Sequence, residues 1–303
     1  MVSFLARRIG FILMVSVLIV YFTFIGMNMV PNSELATPNF NLLDHGEVAW
    51  VRTQTFYQAL FSNNLGDTTV GTVSLPVVDV VRQAYINSMG LLLVALLVAA
   101  VLGLYIGTMA ALIKKRSLVL PLLTLTILGV STPSFVAALL LQQGELKYFQ
   151  VFGRRLVSMG GFGWDYKHML LPVLVLMARP LAYLTRATFI ALRRIMEENY
   201  IRTAFAKGLT HRRTVNVHAF RNLAVPVLTA VGVSLRFSLS SLPIVELFFG
   251  WPGMGLQLVQ AIAARNTTLT VALAFLVGLT FLIFNLLLDL AYRIVDPRVR
   301  EAA

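Results

Sequence analysis

Six stretches of this chain, at residues 9–30, 86–112, 118–142, 169–192, 223–246 and 269–292, are predominantly apolar over the roughly 20 residues that an α-helix needs to cross the hydrocarbon core of a bilayer. Their number and length predict an all-α polytopic membrane protein with six transmembrane helices. Composition agrees: of 303 residues, 58% are hydrophobic and only 13% charged, where a soluble domain carries about 25% charge. The first stretch follows Arg7 and Arg8 and so resembles a signal peptide. It exceeds the ~7–15 residues of a signal h-region, and no A-x-A-like site precedes Pro31, so a retained helix is expected. The absence of cysteine excludes a disulfide framework, a thiolate nucleophile and Cys-based zinc or iron–sulfur sites.

The formal charge of +12 raises the question of nucleic-acid binding, and its distribution answers it. With the N-terminus inside, the inner segments hold 15 Lys and Arg in 54 positions, against seven in 103 outer positions. That roughly fourfold difference in density is the positive-inside pattern, so both termini are expected to be cytoplasmic. Glu197, Glu198, Asp296 and Glu301 leave the inner segments at +11, whereas the outer seven bases meet seven acids. Charge sorted by membrane side in this way argues for lipid and against nucleic acid as a partner.

Two polar segments are long enough to carry work. In the outer segment, Asn63, Asn64, Gly66 and Asp67 signal a turn. Val77, Val78, Val81 and Tyr85 at helical spacing predict a short interfacial helix, with an irregular cap as the alternative. In the cytoplasmic segment 193–222, Glu197 and Glu198 open a helix that closes on Lys207 and Gly208, and Thr210 is placed to cap a second helix from His211. Ile201, Ala204 and Phe205 share a face of this elbow, predicting an exposed apolar knob ringed by Arg202, Lys207, Arg212 and Arg213. A loop that merely anchors topology is the plainer alternative.

The run Asn199-Tyr200-Ile201-Arg202-Thr203-Ala204-Phe205-Ala206-Lys207-Gly208-Leu209 resembles the cytoplasmic coupling-loop motif of the dipeptide, oligopeptide and nickel group of bacterial ABC-importer permeases. Val245-Glu246-Leu247-Phe248-Phe249-Gly250-Trp251-Pro252-Gly253-Met254-Gly255 is similar to the Trp-Pro-Gly-x-Gly signature between the last two spans of that group, with Glu246, Trp251, Pro252, Gly253 and Gly255 as signature positions. The tail Asp289 to Arg300 and the outer Asn64-Leu65-Gly66 fit as well. Against the wider Glu-Ala-Ala, three residues, Gly pattern, only Ala204 and Gly208 persist, and Phe205 stands where Arg is usual.

The resemblance implies a type I ABC importer fold. Residues 1–30 would form a cytoplasmic tail and first helix, 31–85 an extracytoplasmic loop, 86–292 the five-helix transmembrane domain with its coupling loop, and 293–303 a cytoplasmic tail. It implies the partners too: a second homologous permease subunit, two cytoplasmic ABC ATPase subunits and an extracytoplasmic binding protein, in a bacterial plasma (inner) membrane. Tyr200, Ile201, Ala204 and Phe205 would supply knob contacts with the ATPase, Arg202 and Lys207 the charged rim, and Gly208 the turn, with Thr203 and Ala206 completing the coupling segment. Close relatives of the pattern move dipeptides, longer peptides, glutathione, nickel chelates or oligosaccharides. The chain has no G-x-x-x-x-G-K-[ST] run, so ATP and Mg²⁺ are expected on the partner ATPases, with no cofactor and no catalytic residue on this chain.

Within the spans, Arg179 and Arg236 lie at depths where an ionisable group costs at least ~2.5–3.5 kcal/mol. Either lines an aqueous pathway, where its guanidinium meets a solute carboxylate, or it snorkels, pairs with a carbonyl or fixes a helix contact. Glu246 and Asp289 sit near span ends and are expected to be solvated or helix-terminal. His45, His168, His211 and His218 lack metal-ligand spacing, so no metal site is expected. Pro121, Pro133, Pro172, Pro180, Pro226 and Pro243 are expected to kink their helices. The competing function is a stand-alone secondary transporter or channel, which often shows matched, repeated halves; no such repeat is evident here.

Overall fold

The computed structural model describes residues 2–29, 42–70, 73–113 and 116–295. In chain order these form α1 (Val2–Asn28), α2 (Leu42–Phe61), strands β1 (Asp67–Val70) and β2 (Val73–Pro76), α3 (Val77–Leu112), α4 (Arg116–Ser131), α5 (Ser134–Phe152), α6 (Tyr166–Met196), α7 (Asn199–Ala206), α8 (His211–Arg213), a π-helical turn at Thr214–Ala219, α9 (Phe220–Phe249), α10 (Met254–Ala263) and α11 (Thr267–Val295). The expected termini beyond these residues lie outside the described chain.

Among the described residues, five helices are long and apolar enough to cross a membrane: Ser3–Asn28, Val77–Leu112, Tyr166–Met196, His211–Phe249 and Thr267–Ala291. The stretch expected to be a single span at 118–142 is instead two helices, α4 and α5, separated by Thr132 and Pro133. Pro133 has no N–H to offer the Gly129 carbonyl and sits at φ −59°, ψ 141°, in extended geometry. At 16 residues α4 reaches only ~24 Å, short of the ~30 Å hydrocarbon core. The other five prolines lie inside continuous helices: Pro121 in α4, Pro172 and Pro180 in α6, Pro226 and Pro243 in α9.

The chain forms two compact units. The first comprises Met1–Met89 and Pro252–Leu286. Here α2 packs on α1: Tyr57 donates its hydroxyl to Ser16 Oγ at 3.1 Å, and Tyr21 meets Trp50 edge to face at 6.4 Å. Phe275 of α11 caps the pair, 5.7 Å from Phe56 and 6.0 Å from Tyr57. β1 and β2 pair antiparallel from Asp67↔Pro76 to Val70↔Val73. The turn signals before the hairpin are real, with Asn63 and Gly66 both at positive φ, and Asn266 on the far side of the unit bonds Thr68. The expected interfacial helix is the start of α3 itself, which runs unbroken from Val77. α2 and the hairpin were not expected from the sequence.

The second unit comprises Gly90–Trp251 and Leu287–Ala303. α6 and α9 pack against each other over their length, with α4 on α6 and α5 on both. One core cluster joins Ala99, Leu184 and Ala230; another joins Leu192, Ile201, Ala219 and Leu223. α3 closes on α6 through Gly103 and Gly107, a small-xxx-small pair that lets helix backbones meet. A Cβ on Gly107 would fall 2.6 Å from the Thr185 carbonyl oxygen, and one on Gly103 would fall 2.8 Å from Leu184 Cβ. Neither neighbour is the end of a flexible side chain, so the helices must separate to admit it.

Gly107→Ala is therefore expected to destabilise the purified chain by about 1–3 kcal/mol and lower its melting midpoint in detergent by several degrees. Gly10→Ala, at a position where nothing lies within 4 Å of the new Cβ, should leave that midpoint unchanged or raise it.

Candidate functional site

The elbow begins where α6 ends. Glu197 closes α6 in helical geometry, and Glu198 turns extended at φ −68°, ψ 148° to start α7. The two acids thus flank a corner. α7 ends in a paired backbone closure: Gly208 N–H donates to Phe205 O at 2.9 Å and Leu209 N–H to Ala204 O at 3.2 Å, with Gly208 at φ +77°. Only glycine takes that backbone without strain. Thr210 then caps α8, its Oγ1 accepting from Arg213 N–H at 3.4 Å. The π turn carries the chain into α9, with Phe220 N–H donating back to Val215 O.

The face expected to form an exposed knob is divided by the structure. Ile201 is buried against Leu192 of α6, Ala219 of the π turn and Leu223 of α9, with Ala111, Ile195 and Met196 around them, and Ala204 is buried on the same face of α7. They are the elbow's anchor and are not free for contact with another chain. The correction follows from geometry. Positions 201 and 204 are both inward on an eight-residue helix that must cover the apolar end of α6, whereas 205 lies over its edge. Tyr200 and Phe205 are the exposed apolar members, 40% and 39% accessible. Both are held: Asn222 Nδ2 donates to the Tyr200 hydroxyl at 2.7 Å, and the Phe205 ring lies parallel to His211 at 5.8 Å. Arg202, Thr203, Ala206, Lys207, Arg212 and Arg213 are exposed beside them.

The signature loop is a clasp. α9 ends at Gly250, φ +61°, with Gly250 N–H donating to Leu247 O and Trp251 N–H to Glu246 O at 2.9 Å, the same closure as at Gly208. Trp251 is fully buried and meets Phe162 at 4.9 Å and Trp164 at 5.3 Å, both edge to face. The loop between α5 and α6 is stitched to the same helix end: Gly161 N–H donates to Phe249 O at 2.7 Å, and Gln142 Nε2 bonds Met159 O and Phe248 O. Glu145 Oε1 accepts from the Leu156 and Val157 N–H groups. Glu246, expected to be solvated or helix-terminal, lies in the last turn of α9 and is fully buried. It precedes the helix end by a turn on the inward face. In the first unit, Pro252 O accepts from Asn87 Nδ2 at 2.9 Å and Met254 N–H donates to Ser88 Oγ at 2.7 Å; Gly253 and Gly255 are buried. At the start of α6, His168 beside Asp165 holds that carboxyl below the usual carboxylate range.

The two arginines singled out from the sequence do not share a site. Arg179 lines a cavity of about 460 Å³ among α4, α5, α6 and α9, its guanidinium carbon 5.5 Å from the Phe237 ring centroid. Arg236 is exposed and does not line it. A third cation, Arg186, was missed. It stands two turns from Arg179 on α6 and lines a neighbouring cavity with Tyr183 and Ser131. The seven-residue interval from Arg179 was the available signal.

The elbow's dependence on its anchor and turn is measurable. Ile201→Ala should cost about 2–4 kcal/mol, and Gly208→Ala about 1–2 kcal/mol of backbone strain. Both are expected to speed tryptic cleavage at Arg202 and Lys207 in the folded chain. Thr203→Ala, on the exposed face, should leave the cleavage rate unchanged.

A family model described as binding-protein-dependent transport system inner membrane component matches residues 99–301, a range that contains the elbow and the cavity. The dipeptide transport system permease protein DppB of Lactococcus lactis is 30% identical, covering 99% of this chain and all of its own length. The oligopeptide transport system permease protein OppB of Haemophilus influenzae is 31% identical with the same coverage. The glutathione transport system permease protein GsiC of Escherichia coli is 31% identical over 78% of this chain and 75% of its own.

Proposed function

The chain belongs to the family of binding-protein-dependent transport system inner membrane components, and on that premise we propose that it forms one half of the translocation pathway of an ATP-driven importer for peptides or a related small solute. It is a multi-pass membrane protein and a transport subunit. In the proposal it pairs with a second, homologous permease, receives solute from an extracytoplasmic binding protein, and couples through residues 199–209 to two cytoplasmic ATPases that hold ATP and Mg²⁺. The solute class is supported by full-length similarity to permeases whose names specify dipeptides and oligopeptides.

The observation that carries the coupling role is the division of α7 into a buried anchor and an exposed face. With Ile201 packed on α6 and α9 and Ala204 buried beside it, a force applied to Tyr200, Arg202, Phe205 and Lys207 moves those helices instead of bending a loop. Closure of the ATPase pair would thus rock the membrane helices between inward-open and outward-open states. On this reading α4 and α5 together make the third of six passages, the N-terminus is cytoplasmic, and Arg179 lines the pathway.

Three experiments test it. ATPase subunits should co-purify with the native chain and be lost from a Phe205→Glu, Arg202→Glu double variant whose melting midpoint is unchanged. Ala204→Glu, which places a carboxylate in the anchor, should lose both the partner and the midpoint. Solute uptake by the chain alone without ATP would establish a stand-alone transporter or channel and overturn the proposal. Because the chain has no cysteine, single cysteines report topology directly. Thr203→Cys should react with an impermeant maleimide only from the cytoplasmic side and Ser62→Cys only from the outside.

A further inference from the structure

Between α5 and α6, beside the loop that joins them, lies a groove of about 410 Å³ walled by Leu140, Leu141, Tyr148, Leu156, Tyr166 and Leu170. It opens to the outside of the chain, since Leu140, Leu156, Tyr166 and Leu170 are exposed. α6 is a helix of spanning length that begins at Tyr166, so the groove starts near the bilayer surface. From there it descends past Leu170 on α6 and reaches Leu140 on α5, about three turns before that helix ends at Phe152. At the same end of α5, Val151 and Phe152 are exposed and the Phe152 ring lies 4.5 Å from that of Tyr148, an apolar and aromatic edge suited to the headgroup level.

The rim of the groove is cationic. Lys147 adjoins Tyr148 in sequence, Arg155 adjoins Leu156 and Lys167 adjoins Tyr166; these three and Arg154 are all exposed. Their segments are bonded to one another. Glu145 Oε1 of α5 accepts from the Leu156 and Val157 N–H groups at 2.8 and 3.3 Å, and Ser158 N–H donates to Lys167 O at 2.8 Å. The Arg155 guanidinium carbon lies 5.4 Å from the Phe149 ring centroid, an arrangement that leaves its N–H edge free. The acids of these segments are committed elsewhere: Glu145 is buried on its two N–H donors, and Asp165 is bonded to His168. Among the described residues no carboxylate is ion-paired with any of the four cations. Like charges gathered in this way repel unless an anion joins them.

We infer that the groove and its rim are a site for one anionic phospholipid. Lys147, Arg154, Arg155 and Lys167 receive the phosphate, and one acyl chain lies along Leu140, Leu156 and Leu170. Charge and shape together select this occupant. A free phosphate has nothing to place against the leucines, and a zwitterionic lipid brings a cation of its own to a rim that already holds four. An acidic protein surface docking from water would meet the rim but leave Leu140 and Leu170, which lie below it, uncovered.

The test uses the full chain purified in dodecyl maltoside and measures equilibrium binding of radiolabelled dioleoylphosphatidylglycerol at fixed detergent concentration. Saturable binding is expected, with dioleoylphosphatidylcholine competing about tenfold more weakly. The quadruple variant Lys147→Gln, Arg154→Gln, Arg155→Gln, Lys167→Gln should lose that preference at an unchanged lipid-free melting midpoint, and Arg155→Gln alone should weaken phosphatidylglycerol about threefold. Leu140→Trp, which fills the groove, should weaken both lipids about threefold and keep the preference. Arg82→Gln, at an exposed cation outside the patch, should change neither. Equal binding of the two lipids, a preference that survives the quadruple variant, or one lost as fully in Arg82→Gln would overturn the assignment. Displacement of the lipid by an equal concentration of glycerol 3-phosphate would also overturn it, by showing an anion site with no use for the groove. Equal lipid binding together with loss of an extracytoplasmic binding protein from the quadruple variant of the native complex would assign the rim to an acidic protein surface instead.

Discussion

Every helix leaves N–H and C=O groups unpaired at its ends, and the structure is organised by how each end meets that demand. α7 and α9 end in the same way, with a glycine at positive φ and two backlinked N–H groups, Gly208 with Leu209 in one and Gly250 with Trp251 in the other. Helix α10 opens on the Ser88 hydroxyl instead. At Pro133 the chain leaves helical geometry between α4 and α5, and its neighbours Thr132 and Ser134 border a cavity.

These closures determine what can be rigid and what can be touched. The elbow is short enough that an isolated helix of its length would not hold, so its stability comes from packing Ile201 onto α6, the π turn and α9 and from burying Ala204. The residues left outside are consequently fixed in orientation even though exposed, with Tyr200 tied to Asn222 and Phe205 stacked on His211. A face that is both exposed and immobile suits transmission of force, because little of an applied displacement is spent in ordering side chains.

Much of this was legible in the sequence, and the failures have physical causes. Five of the six expected spans are helices of spanning length, and the Gly208 turn and Thr210 cap were readable from residue type. The third span failed because an apolar average over 118–142 does not register the break at Thr132 and Pro133, where Pro133 takes extended backbone. α2 was missed for the converse reason: its inward face is His45, Ala49, Thr53 and Phe56, a helical spacing carried mostly by small or polar residues that an apolar count passes over. For the elbow, spacing identified which residues share a face but not which side of that face meets the rest of the chain. That information lies in the apolar end of α6, in Leu192, Ile195 and Met196.

The same logic separates motif from mechanism. The most recognisable run, Trp251 to Gly255, is almost entirely buried and serves backbone geometry: Gly250 turns the chain, Trp251 fills the space beside Phe162 and Trp164, and Pro252 offers its carbonyl to Asn87. The residues that line the cavity, by contrast, sit outside every motif. Arg179, Thr185, Phe237 and Ser238 are spread along two helices and meet only because α6 and α9 pack over their length. A short pattern detects neighbours in sequence, whereas a cavity is assembled from neighbours in space. Family membership was therefore readable well before the lining of the cavity.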